Sequence, residues 1–203
     1  MPAATGKLVI LSGPSGVGKS TIVRKLLGRT AERLRLSVSA TTRPPRPGEA
    51  DGVDYHFLSH EAFASRRQRG EFLECVEVFG RGHWYGTLLA EVTPSLEAGR
   101  WVLLEIDVDG AERALAAFPE AVSIFLTAAA DPAEALQVLR ERLEARGTED
   151  PEAIARRLEV AQRELQRSSR YRYTVVNGGP QEGGLDFAVD EIHQLLVAEG
   201  LPV

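Results

Sequence analysis

The sequence predicts an α/β fold with a central parallel sheet, and three observations predict it. Leu8-Val9-Ile10-Leu11 is a continuous apolar run without polar alternation, as suits a strand buried on both faces. Further strand candidates at 101–107, 122–127 and 173–177 alternate with helical patterns. The first run leads directly into G-x-x-x-x-G-K-S over Gly13 to Ser20, the signature of a phosphate-binding loop set between a strand and a helix.

Taken in order, each element has a local reason. In Gly13-Pro14-Ser15-Gly16-Val17-Gly18-Lys19-Ser20-Thr21 the glycines permit positive φ and close backbone approach, so successive N–H groups can face phosphate oxygens. Lys19 brings a charge to the β- and γ-phosphates, and the Ser20 hydroxyl suits Mg²⁺. A helix begins near Gly18, with Ile22, Val23, Leu26 and Leu27 on one face and Gly28 as its stop. Leu36 to Ser39 alternates like a short strand. The stretch Thr41-Thr42-Arg43-Pro44-Pro45-Arg46-Pro47-Gly48-Glu49 cannot be regular, because three prolines interrupt it. Its two arginines, held in a stiffened loop, suit bidentate recognition of a phosphate; the plain alternative is a solvated basic loop.

Val53 to Leu58 reads as a strand, Ser59 as a helix cap with Ala62 and Phe63 inward, and Phe72 to Phe79 as another strand before the aromatic loop at 80–87. Residues 37–93 thus form an insertion of mixed, mostly strand character. The strand Trp101 to Asp107 ends in carboxylates, as a metal–nucleotide site requires at a strand's C-terminal edge. A helix at 110–117 and the strand Val122 to Thr127 follow. Asp131-Pro132 and Asp150-Pro151 each start a helix, the first ending at Gly147 and the second presenting Ile154, Leu158, Ala161 and Leu165 on one face. Arg142 and Arg146, four apart, share a helical face; they make either a surface of Glu–Arg pairs or a cationic lid. Tyr173 to Asn177 is a last strand, and Phe187, Ile192, Leu195 and Leu196 mark a closing helix.

At 203 residues and 43% hydrophobic, the chain suits one domain with insertions. A net charge of −5 argues against nucleic acid and anionic membrane as partners. Cys75 is the single cysteine, which rules out an internal disulfide framework or a cysteine zinc site and fits a reducing, cytoplasmic setting. No apolar stretch reaches membrane-spanning length, and the N-terminus lacks a signal-peptide pattern.

Competing motifs are weaker. Asp107-Val108-Asp109-Gly110 fits the D-x-x-G of GTP-hydrolysing switches, but no N-K-x-D guanine-reading motif accompanies it. His56 and His60 straddle a strand end and a helix cap, so they do not form a metal pair on one face. Glu105 and Asp107 could form an acid–base pair, yet beside a phosphate loop a metal or base-recognition role is more economical.

These stretches together resemble the bacterial guanylate kinase family. The match runs from Gly13–Thr21 through Ser39 to Glu49, Tyr55, Phe72-Leu73-Glu74, Tyr85-Gly86-Thr87, Leu104 to Asp107, Arg142 to Gly147, Arg157 and Val176-Asn177, in order over nearly the whole chain. The resemblance implies a three-layer P-loop NTPase fold with a central parallel sheet, a mixed GMP-binding insertion and a helical lid. As a single domain, it would have its core in 1–36, 94–127 and 173–203, the GMP region in 37–93, and the lid with its following helix in 128–172. It further implies ATP and GMP as substrates, Mg²⁺ with ATP, and a monomer or homodimer.

By resemblance, Arg43, Arg46, Tyr55 and Tyr85 hold the GMP phosphate, and Ser39, Glu74, Thr87 and Asp107 read guanine. Arg142, Arg146 and Arg157 form the lid, and with Lys19 and Arg43 make up the catalytic set. Gly13 to Thr21 and Asn177 bind ATP, while Ser20 and, through water, Glu105 serve the metal. This chain departs from the family pattern in a loop two residues longer before Tyr85, in Glu105 where many members have Asp, and in Gly178 after Asn177. A protein-binding scaffold of the same fold would tend to lose Lys19 or the lid arginines, and a sugar-phosphate kinase would have no use for Glu74 with Ser39 and Thr87.

Overall fold

The computed structural model describes residues 6–30, 33–77, 82–145, 150–178 and 184–202. Five strands form one sheet in the order β2-β7-β1-β8-β9: β1 is Leu8–Ser12, β2 Leu34–Leu36, β7 Trp101–Glu105, β8 Val122–Thr127 and β9 Tyr173–Val176. β1 pairs with β8, β8 with β9 and β2 with β7, all in parallel. Every residue of β1 and β8 is buried, which explains why these strands read as apolar runs rather than as alternations. A second sheet, β4-β3-β6-β5, is built from Ala40–Thr41 (β3), His56–Phe57 (β4), Phe72–Glu77 (β5) and Trp84–Leu88 (β6). Its β3–β6 and β5–β6 pairs are antiparallel and its β3–β4 pair is parallel, so this sheet is mixed.

The chain forms two compact units. One comprises Met1–Leu8, Leu34–Leu104 and Asp109–Ala121. It holds the second sheet with the helices α2 (His60–Gln68), α3 (Leu89–Glu97) and α4 (Val108–Ala117). Ala40, Phe63 and Leu88 form a core of its own, against which Leu58, Phe72, Cys75 and Trp84 pack. The other unit comprises Val9–Arg33, Glu105–Val108 and Val122–Val203. It contains the helices α1 (Lys19–Thr30), α5 (Pro132–Ala145), α6 (Pro151–Leu165) and α7 (Gly184–Ala198).

Several helix signals act as read. Asp131 Oδ1 accepts from the backbone N–H of Ala133 (2.9 Å) and Glu134 (3.0 Å), and Asp150 Oδ1 from that of Ala153 (2.8 Å). Ser59 caps α2 through Ala62 N–H at 3.1 Å. All four apolar positions expected on the inner face of α6 are buried.

Other boundaries differ. β2 lies two residues earlier than expected, because its register places Leu34 opposite Trp101 and Leu36 opposite Leu103 before the chain turns away. Of Val53 to Leu58 only His56–Phe57 is strand; Val53 and Asp54 both donate to Ala50 O in a turn, leaving Val53 70% exposed. Gly28 does not stop α1, which continues to Thr30. Helix α3 went unpredicted because Pro94 lies inside it, where the missing N–H disguises the helical pattern. Phe187 faces outward, 57% exposed, since α7 buries Ala188, Val189, Ile192 and Leu196 instead. The expected end of α5 at Gly147 lies outside the described residues, as do Val78 and Phe79 at the expected end of β5.

Candidate active site

The phosphate loop connects β1 to α1 in the unit that carries both elements. Gly13 has no room for a side chain: at φ 141°, an added Cβ would stand 2.2 Å from Leu126 O of β8. Gly18, at φ 99°, would bring a Cβ to 2.6 Å from Asn177 Nδ2. The loop is thus pressed against the ends of two strands, and glycine is what lets it lie there. Lys19 folds back on the loop, donating to Gly13 O at 2.5 Å and to Pro14 O at 3.2 Å. Burial pushes its ammonium pKa below the ordinary lysine value, and the charges of Glu164, Glu105 and Asp107 act in the opposite direction. Ser20, the second residue of α1, donates to Glu105 Oε1 at 2.5 Å. Two hard oxygen donors therefore converge at the start of the helix whose N-terminus favours anions.

Asn177, Arg142 and Arg157 surround the same loop. The buried Asn177 amide donates to Val17 O at 2.7 Å. Arg142 donates to Asn177 O at 2.7 Å, Gly178 O at 3.3 Å and Val17 O at 3.4 Å. Arg157 Nη2 reaches Ser15 Oγ at 3.1 Å. The residues expected at the ATP side thus converge, with Arg142 fastening backbone carbonyls and Arg157 lying on the loop itself. Arg146 lies outside the described residues. Sequence reading missed Glu164, which lies two turns after Arg157 on α6 and acts electrostatically on Lys19.

The phosphomonoester candidates lie in the other unit. Arg43 Nη2 donates to Glu49 Oε1 at 2.8 Å, Nη1 to Pro44 O at 2.6 Å and Nε to the Tyr85 hydroxyl at 3.2 Å. Its guanidinium also stands over the rings of Tyr55 (5.4 Å) and Phe57 (5.8 Å). Tyr55 and Tyr85 meet edge to face at 5.9 Å. Arg43, Tyr55 and Tyr85 therefore form one group, while Arg46 projects from the exposed turn beside it.

Glu74 and Thr87 face each other across β5 and β6, and the Thr87 hydroxyl donates to Glu74 Oε1 at 2.7 Å. Glu74 is only 5% exposed, so its carboxylate is oriented by a neighbour and largely removed from water. Thr87 thus spends its proton on Glu74. Ser39 is half-buried at the entrance to β3, and its carbonyl accepts from His56 N–H at 2.9 Å. Asp107 follows β7 in the phosphate-loop unit. His56 and His60 have separate partners: His56 Nε2 meets Glu91 Oε1 at 3.0 Å, and His60 stacks with His83.

A family model described as guanylate kinase matches residues 5–199. Among curated relatives, a guanylate kinase of Rhodopirellula baltica is 48% identical over 196 residues, covering 96% of this chain and 89% of that protein. One from Symbiobacterium thermophilum is 44% identical over 194 residues, covering 96% and 86% respectively. One from Mycobacterium sp. is 47% identical, covering 95% and 91%. The crystal structure of guanylate kinase from Anaplasma phagocytophilum superposes with a TM-score of 0.76 at 31% identity, covering all of this chain and 90% of that one.

Proposed function

We propose that this chain, which belongs to the guanylate kinase family, transfers the γ-phosphoryl group of ATP to GMP, releasing ADP and GDP. The observation that carries the choice of base is the buried Glu74 carboxylate, fixed by Thr87. Guanine presents N1–H and an exocyclic amine side by side, and a carboxylate accepts from both. Adenine presents a bare N1 acceptor at that edge, which would leave a buried charge unsatisfied.

In this reading Arg43, Tyr55 and Tyr85, with Arg46, hold the GMP phosphate, and Ser39 assists Glu74 and Thr87 at the base. The loop from Gly13 to Thr21 cradles ATP phosphates, with Asn177 bracing it. The attacking group is an ionised phosphate oxygen, so no general base is needed. Catalysis rests on positioning and on neutralising charge through Lys19, Arg157, Arg142 and Arg146. Ser20 and Glu105 fit a hydrated Mg²⁺, because both are hard oxygen donors and the nucleotide phosphates supply further ligands. When bound, Mg²⁺ neutralises charge on the β- and γ-phosphates. We place the enzyme in the cytoplasm and read it as a monomer or homodimer acting on small molecules. Among the described residues no helix is long and apolar enough to cross a membrane.

The test is ATP-dependent turnover measured side by side with GMP, AMP, UMP and ribose phosphates. GMP is expected to dominate. Comparable turnover of AMP would overturn the assignment of Glu74, and turnover of a sugar phosphate alone would overturn the reaction.

A further inference from the structure

Glu49 closes the proline–arginine loop from two directions. One carboxylate oxygen, Oε1, accepts from Arg43 Nη2 at 2.8 Å; the other, Oε2, accepts from the Arg46 backbone N–H at 2.7 Å. The Glu49 backbone N–H returns to Arg46 O at 3.0 Å, so residues 46–49 form a turn bonded both ways. Gly48, at φ 89°, supplies the left-handed conformation that turn requires. The pair is not an ordinary surface ion pair, since the side chains of Arg43 and Glu49 are 11% and 18% exposed. Its neighbour Arg43 holds the Glu49 carboxyl below the usual carboxylate range.

We propose that Glu49 is the positioning residue that sets the spacing of Arg43 and Arg46 for a phosphate monoester, one carboxylate oxygen holding the Arg43 guanidinium and the other the Arg46 backbone. The inference rests on the reading above, in which these arginines take the phosphate of GMP. The sign of the effect distinguishes positioning from simple electrostatics. Glu49 carries the same charge as the phosphate, so a purely coulombic role would make its removal tighten GMP binding. A positioning role makes its removal weaken GMP binding, because Arg43 then loses the contact that fixes its guanidinium plane.

Two variants separate the cases. Glu49→Gln removes the charge and can satisfy only one of the two donors, since its amide nitrogen meets the other. Glu49→Asp keeps the charge but shortens the arm so that it cannot span both. The experiment measures calorimetric affinity for GMP, guanosine and ATP in the parent, both Glu49 variants and Arg43→Ala. The steady-state KM for GMP and kcat are measured alongside. The proposal expects both Glu49 variants to weaken GMP by about tenfold, on the order of 1.4 kcal/mol. It expects guanosine and ATP affinity to stay within twofold of the parent, which also shows the fold intact. KM for GMP should rise with little change in kcat.

Tighter GMP binding in Glu49→Gln, or parent-like GMP binding in Glu49→Asp, overturns the positioning role. Equal losses for GMP and guanosine overturn it as well, because the effect would then be on the whole pocket. If Arg43→Ala also leaves GMP affinity unchanged, the phosphate-binding reading itself has failed. If Arg43→Ala weakens GMP while the Glu49 variants do not, only the inference about Glu49 has failed.

Discussion

At the scale of single residues, Lys19 carries a conflict between stability and function. Its ammonium is folded onto two carbonyls and lowered in pKa by burial. Between that lowered value and the ordinary lysine value, the unfolded chain binds a proton that the folded chain lacks. Stability contributed at this site therefore rises with pH through that window, and the charged group weakens the fold below it. Lys19→Met should thus melt higher than the parent near pH 7 without added nucleotide, and the difference should shrink toward pH 10. Thermal melts at both pH values check this, with about 2–4 °C expected per kcal/mol for a chain of this size. The same variant should lose on the order of 10²-fold or more in turnover, as for removal of a preorganised charge donor. A Lys19→Met protein that turns over normally would contradict the catalytic role.

Glu74 makes the complementary case. Its carboxylate is buried and oriented, and in the proposed reading its value lies in what it rejects. Glu74→Ala should lower kcat/KM for GMP by roughly 2–4 kcal/mol, the range for truncating one side of a desolvated charged pair. The ratio of GMP to AMP kcat/KM should fall sharply, and an unchanged ratio would show that Glu74 does not read the base.

At the scale of elements, α5 and α6 deliver arginines with different tasks. Arg142 of α5 binds three backbone carbonyls, from Val17, Asn177 and Gly178, and so ties the phosphate loop to the end of β9. Arg157 of α6 reaches the loop through the Ser15 hydroxyl, at 3.1 Å. Arg142→Ala should therefore lower the melting temperature and weaken ATP, by about 1.5–3 kcal/mol if the carbonyls lose charged donors. Arg157→Ala should lower kcat while leaving GMP affinity near that of the parent, since the proposed closure over the phosphates would complete the site late. Calorimetry with each nucleotide, set beside kcat, separates the two; a matching fall in GMP affinity and kcat for Arg157→Ala would be the wrong pattern.

For the whole molecule, the residues proposed for GMP phosphate and base binding, Asp107 excepted, belong to one compact unit and those proposed for ATP phosphates to the other. Each ligand should stabilise the fold in its own right, by about 2.7 kcal/mol at a hundredfold excess over its dissociation constant. Glu74→Ala should abolish the thermal shift given by GMP and keep the one given by ATP. Lys19→Met should do the reverse. If either variant removed both shifts, the two sets of residues would not be independent binding surfaces.

The phosphate loop was legible because its chemistry is local. Consecutive residues supply the glycines, the lysine and the serine, and the buried strand before them reads directly as an apolar run. Helix starts at Asp131 and Asp150 were legible for the same reason, a cap and a proline being neighbours in the chain. By itself the sequence determined the α/β pattern, the mixed insertion and most of the residue types from which the site is made.

Tertiary structure decided what depends on distance along the chain. That Thr87 gives its proton to Glu74 follows from the register of β5 against β6, which no local pattern states. That Arg142 seats on carbonyls 35 and 125 residues away follows from where α5 packs. Glu49 stood in the sequence as the last letter of a basic loop, and its two-sided hold on Arg43 and Arg46 became visible only when the turn closed. Residue type is a property of one position, whereas a hydrogen bond fixes two positions at once, and only the folded chain brings the second within reach of the first.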